Sequence, residues 1–194
     1  MLSLLAARSA GLLNVAEVSR AAGIPYTTLE RYLALFEAIF MIQRIPAWNA
    51  NLGKRLVRAS KLILVDTGFM AYLLNASVNS VVADAQYAGR FAETFVGAEL
   101  AKQIEWSERK PRLLHYRTGA GAEVDFVLET GDQRVAGVEV KLQATLRAED
   151  FRGLRSFAED AGSRFAAGVV LYAGEQTIPF GGSLQAIPIT ALWR

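Results

Sequence analysis

Four charged side chains carry the chemistry this sequence suggests: Asp125, Glu139, Lys141 and Glu93. The first three fall in EVDFVLETGDQRVAGVEVK, which reads as a β-hairpin because alternating runs flank Gly131-Asp132. Alternation gathers Val124, Phe126 and Leu128 with Ala136, Val138, Val140 and Leu142 on an apolar face, the expected core face. Glu123, Asp125, Val127 and Glu129 then oppose Val135, Gly137, Glu139, Lys141 and Gln143 on a polar one. A turn centred on Asp132 sets Asp125 opposite Glu139 and Glu123 opposite Lys141, whereas a two-residue Gly131-Asp132 loop sets Asp125 against Val138. Facing carboxylates therefore require an odd loop or a bulge. Like charges directly opposite cost up to about 1 kcal/mol, which a divalent cation would offset. The plainer alternative is a solvated sheet face with a Glu123–Lys141 surface pair worth about 0 to 1 kcal/mol.

Glu93 sits upstream in AGRFAETFVGAELAKQIEW, a helical run. At about 100° per residue it shares a stripe with Val96, Gly97, Leu100 and Ile104. A carboxylate on an apolar stripe must find a cation, a hydrogen-bond donor or a wet cleft, because burying it unpaired costs several kcal/mol, of order 2–7. Placement in the first helical turn, favoured by the helix dipole, is the simpler reading.

The elements that must position these groups follow from composition and pattern. The chain has 194 residues, 52% hydrophobic and 21% charged, with 5 Pro and 16 Gly, enough apolar side chain for a packed core and no disorder signature. With no Cys, disulfides, thiolate metal sites and cysteine nucleophiles are excluded, and a reducing cytoplasm is the expected compartment. With one His, His115, a metal should be bound by oxygen. No run has spanning hydrophobicity, and the first basic residue, Arg8, follows Leu2, Leu4 and Leu5 rather than preceding them, so neither a membrane span nor a secretory signal is expected.

Residues 1–60 read as a winged helix-turn-helix. Leu2, Leu4, Leu5, Leu12 and Leu13 bracket a first helix; Asn14 caps VAEVSRAA, Gly23 ends it, and TTLERYLALFEAIF follows with Leu29, Tyr32, Leu33, Phe36 and Phe40 as its core stripe. FMIQRIPAWNANLGKRLV supplies β-prone runs around a turn, as a wing would. This third of the chain carries seven bases against three acids, and the rest fourteen against sixteen. DNA contacts are expected from Thr28 and Arg31 on the second helix and from Lys54, Arg55, Arg58 and Lys61 around the wing. Residues 61–84 read as a connection: KLILV a buried strand, Asp66 or Thr67 capping a short helix. Residues 85–194 alternate as α-β-β-β-α-β-β, which suits a mixed sheet with helices packed on it, an α/β (α+β overall) architecture. His115 and Arg117, on the strand before Asp125, are near enough in sequence to approach a phosphate, although a lone His in an apolar strand is more often packed.

Asp125, Glu139-Val140-Lys141 and a preceding helical Glu93 together resemble the PD-(D/E)xK nuclease superfamily, with Val124 in place of the motif's Pro. The resemblance implies that Asp125 and Glu139 hold Mg²⁺ or Mn²⁺, that Glu93 assists the ion, and that Lys141 positions or activates the attacking water. Hard carboxylate ligands and a nearby ammonium suit such an ion and a phosphoryl transition state. Over nearly its whole length the chain also resembles the C-terminal region of bacterial and archaeal AAA-type ATPases, carried by NVAEVSRAAGIPYTTLERYLALFEAIFMI, KRLVRASKLILVDTGFMAYLL, GRFAETFVGAEL, HYRTGAGAEVDFVLE and VEVK. In that family a nucleotide-binding module precedes a winged helix and a nuclease-like domain of unknown function. Here the only Gly-Lys, Gly53-Lys54, is followed by Arg55 and preceded by no Gly at P-loop spacing, so no ATP site or ATPase activity is expected. The chain reads as a fragment or truncated relative that would partner an ATPase module and DNA. The resemblance implies a Mg²⁺-dependent phosphodiesterase; the rival is a non-catalytic DNA- or protein-interaction module on a degenerate nuclease fold.

Overall fold

The computed structural model describes residues 1–51 and 59–193. The chain divides into two compact units, residues 1–46 with 58–98, and residues 47–57 with 99–194. Residues 61–84, expected as a connection, fall within the first unit.

In the first unit α1 (Leu2–Ala6), β1 (Gly11–Leu12), α2 (Val15–Ala22), α3 (Tyr26–Ala38), β2 (Ile42–Ile45) and β3 (Lys61–Leu64) are followed by α4 (Thr67–Leu74), α5 (Val78–Ala83) and the start of α6 (Ala85–Trp106). The N-terminal leucines do not share one helix. Ala10 turns left-handed at φ 65°, and Gly11–Leu12 becomes a strand because β3 offers it hydrogen-bonding partners, among them Leu62 O for the Ala10 amide at 2.7 Å. The caps form as their chemistry requires: the Asn14 side chain accepts from Glu17 N–H, Gly23 closes α2 at φ 65°, and Asp66 rather than Thr67 caps α4 by accepting from Phe69 N–H. Leu29 and Leu33 of α3 are fully buried with Leu5, Val18, Leu62 and Met70, while Phe40 lies exposed. The core stripe of α3 is therefore narrower than its periodicity implies. Strands β1, β3 and β2 form an antiparallel sheet in that order. Residues 47–51, part of the segment 40–57 read as a wing, group with the second unit.

That unit is built on a six-stranded mixed sheet with β4 (Arg112–Arg117), β5 (Glu123–Glu129), β6 (Val135–Lys141), β7 (Phe165–Tyr172), β9 (Leu184–Pro188) and β8 (Ile178–Pro179) in spatial order. The first three form an antiparallel meander. A 3₁₀ turn (Ala148–Phe151) and α7 (Arg152–Ala161) then carry the chain across to β7, which runs parallel to β6. Helix α7 packs on β5, β6 and β7. Its seat is made of glycine: Gly137 and Gly168 are register partners on adjacent strands, and a Cβ on either would meet Leu154 Cδ2, at 2.6 and 3.3 Å respectively. Leu154, Phe157, Phe151 and Trp48 are buried in this core. Trp48 Nε1 also donates to Glu129 at 3.2 Å.

The expected division of the β5–β6 hairpin into core and polar faces holds only in part. Val127 and Val135, on the face read as polar, belong to the core cluster under α7, as does Val124 from the opposite set. The reason is a β-bulge: Leu114 pairs with Val127 but Tyr116 with Val124, so three residues of β5 span two of β4. Strict alternation cannot register that extra residue.

Candidate nuclease-like site

The loop closing the hairpin has an odd number of residues, Thr130 to Arg134, and is tied by Thr130 N–H to Arg134 O at 3.0 Å. Its register pairs Phe126 with Val138 and Val127 with Gly137. Asp125 and Glu139 are the next residues along the two strands. There the ladder changes: Asp125 Oδ2 accepts from Val140 N–H at 2.9 Å, so the carboxylate takes the amide that a backbone carbonyl would otherwise engage. Asp125 is 8% exposed, so this bond satisfies a largely desolvated oxygen.

Glu139 and Lys141 are two residues apart on β6, hence on one side of the strand. Lys141 Nζ donates to Glu139 Oε1 at 2.9 Å, with the lysine side chain 33% and the glutamate 14% exposed. Pairing of β6 with β7, Glu139 beside Val170 and Lys141 beside Tyr172, fixes both backbones. Burial works to lower the Lys141 pKa, but Glu139 first, then Asp125 and Asp150, hold it above the ordinary lysine value. The like-charge cost of facing carboxylates is thus met partly by this ammonium and by the Val140 amide.

An open cleft of about 210 Å³ adjoins the pair, lined by Glu123, Glu139, Lys141, Glu149, Asp150 and Arg152, with Gly121, Ala122 and Gly153. Glu123 pairs with Arg117 at 3.1 Å rather than with Lys141. His115 is buried at 2% exposure, and its carbonyl accepts from Trp48 N–H at 2.5 Å, in keeping with a packed histidine. Sequence reasoning missed Glu149, Asp150 and Arg152 as cleft residues. Their only signal was an acidic pair opening a helical run, which marks a helix start rather than a site.

Glu93 belongs to the first unit, where its carboxylate accepts from Lys61 Nζ. The acid on the apolar stripe has found its cation. Lys61 is correspondingly 1% exposed, so it does not present the phosphate-facing ammonium expected of it. Of the other expected DNA contacts, Thr28 is half-buried and Arg31 exposed on α3, and Lys54, Arg55 and Arg58 lie outside the described residues. Among the described residues no group of three or more His, Asp or Glu stands together as a metal-ligating set. Asp125 and Glu139 still suit a Mg²⁺-type ion, which takes one or two carboxylates and completes its shell with water and phosphate.

The family model described as "Domain of unknown function (DUF4143)" matches residues 88–192, more than half of the chain. The chain belongs to the DUF4143 family. A second model, "Domain of unknown function (DUF8612)", matches residues 1–80, so the DUF4143 match begins within α6 and covers the six-stranded sheet. Two curated relatives, "Uncharacterized protein Rv2008c" of Mycobacterium tuberculosis and "Uncharacterized protein Mb2031c" of Mycobacterium bovis, are each 30% identical over 178 residues, 91% of this chain. The chain spans 38% of the length of either. A solved structure, the refined half-complex from the tetradecameric assembly of Thermococcus gammatolerans McrB AAA+ hexamers with bound McrC, aligns with 84% of this chain and 60% of its own at 8% identity and a TM-score of 0.39, too low to carry an argument. No helix among the described residues is long and apolar enough to cross a membrane.

Proposed function

We propose that the DUF4143 domain is a metal-dependent phosphodiesterase acting on DNA, working as the nuclease-like module of an AAA-type ATPase family protein. The observation that carries this reading is the grouping on one hairpin of Asp125, Glu139 and a Lys141 ammonium bonded to Glu139, beside an open polar cleft. Asp125 and Glu139 would hold Mg²⁺ or Mn²⁺, with the Val140 amide orienting Asp125. Such an ion, when bound, polarises a phosphoryl oxygen and makes its water more acidic. Lys141, oriented by Glu139, offers positive charge to the attacking oxygen or to charge developing on the phosphate. Glu93 enters this reading as an assisting acid only if it leaves Lys61. Thr28, Arg31, Lys54, Arg55 and Arg58 would supply phosphate contacts from the helix-turn-helix and the segment after β2, in the manner of a winged helix.

The test is nicking of supercoiled plasmid in Mn²⁺ by wild type and Asp125→Ala. Loss of a metal ligand should lower the rate at least as far as loss of an outer-shell partner does, on the order of 10²-fold. Cleavage unchanged by the substitution, or no cleavage by wild type in any divalent metal, defeats the hydrolytic reading.

One observation favours a second reading, a non-catalytic DNA- or protein-interaction module attached to an ATPase. Glu93 and Glu139 each already have a lysine partner, so two of the three acids are neutralised without an ion. Titration with short duplex DNA at two salt concentrations separates the versions. Steep weakening with salt indicates phosphate neutralisation, and no binding at low salt indicates a protein partner.

A further inference from the structure

We infer that Arg152 is the residue by which this cleft grips a nucleic-acid phosphate, an assignment that rests on the phosphodiesterase reading. The cleft is lined by four carboxylates, Glu123, Glu139, Glu149 and Asp150, and by two cations, Lys141 and Arg152, which leaves it two charges negative. Such an excess of acids weakens the binding of a polyanion, which is helped by a divalent ion that offsets them and by a cation left to receive it. Lys141 is committed to Glu139. Among the described residues no hydrogen bond or ion pair engages the Arg152 guanidinium, whereas the neighbouring Arg155 is spent on Ala148 O at 2.6 Å and on the Phe151 ring.

The backbone of Arg152 is also fixed more firmly than a surface arginine requires. It opens α7 between Phe151 and Leu154, both fully buried, and the Phe151 ring stacks on Phe180 at 4.2 Å. At the next residue, Gly153, a Cβ would lie 2.0 Å from Glu123 O, so the first turn of α7 rests directly on the start of β5. An exposed guanidinium on an anchored base can close on a phosphate with two parallel N–H donors and loses little backbone freedom in doing so.

The experiment is steady-state cleavage of a duplex substrate in Mn²⁺ by wild type, Arg152→Ala, Arg152→Lys and, as a charge-matched control in an exposed turn, Arg109→Ala. For Arg152→Ala, KM should rise about tenfold with kcat within about twofold, and the slope of log KM against log salt should flatten by about 0.9. Lysine at 152 should recover the slope but only part of KM, because it returns the charge and not the fork. Arg109→Ala should match wild type. If wild type cleaves and Arg152→Ala matches Arg109→Ala, this assignment falls while the phosphodiesterase reading stands. If wild type does not cleave, that reading falls and takes this one with it.

Discussion

Lys61–Glu93 in the first unit and Lys141–Glu139 in the second each have at least one largely buried partner, and the two pairs are built to opposite ends. Lys61 and Glu93 meet with side chains 1% and 18% exposed, in a unit whose buried core cluster is aliphatic apart from Met70. Lys141 and Glu139 meet with 33% and 14% exposure, beside further acids and an open cleft. The first pair is the more closed, its ammonium shielded from water. The second remains accessible, with Asp125 and Asp150 acting on the same ammonium. Residue type therefore does not distinguish a closed pair from an open one; the balance of charge around it and its access to solvent do.

The largest expected effect tests the closed pair. Replacing Lys61 by Met removes a buried ammonium from its Glu93 partner and should cost about 3–5 kcal/mol, read by urea denaturation. Replacing both, Lys61→Met with Glu93→Leu, should recover most of that loss, because no unpaired charge remains. Lys141→Met, by contrast, should cost less, because the ammonium it removes is 33% exposed and its pairing is weakened by solvent. Equal losses from Lys61→Met and Lys141→Met would erase the distinction between the two sites.

A smaller effect is expected at the seat of the open pair. Gly153→Ala places a methyl within 2.0 Å of a backbone oxygen, Glu123 O, which cannot rotate away as a side chain would. Displacement of α7 from β5 should cost about 1–3 kcal/mol in thermal or urea melts and should lower nicking activity as Arg152 moves off the cleft. Gly119→Ala, where an added Cβ meets nothing within 4 Å, should leave both unchanged. If Gly153→Ala melts as wild type does, the close approach is not what fixes the rim.

These sites differ in how far they could be read from residues alone. The hairpin was legible because its turn and its alternation are local, although an odd and an even loop fitted the residues equally well. The caps at Asn14, Gly23 and Asp66 were legible for the same reason. The bulge in β5 was not, because it depends on how β4 pairs, and it moved Val124 into the core beneath α7. Nor was the burial of Lys61, whose partner lies 32 residues along the chain and whose sequence neighbours suggested a basic surface. Glu93 was legible as an acid that must find a cation, a hydrogen-bond donor or a wet cleft, but nothing local specified lysine rather than metal. The early end of α1 and the strand β1 escaped because a few leucines satisfy helix and strand periods equally well until a sheet edge decides between them.

The smallest effect concerns the charge of the cleft itself. Glu123 lines it, and the pair it makes with Arg117 has side chains 34% and 47% exposed. Such a pair contributes about 0 to 1 kcal/mol, so Glu123→Gln should leave the melting curve almost unchanged. It does remove one of four carboxylates from the face a polyanion must approach. Binding of a fluorescent duplex without divalent metal, followed by anisotropy, should therefore tighten about two- to fivefold in low salt. The gain should vanish near 1 M salt, where the screening length falls to about 3 Å. A gain that persists in high salt would mean the substitution reshapes the cleft instead of recharging it. No gain at all would mean nucleic acid does not approach by this face, and the open pair would then be as structural as the closed one.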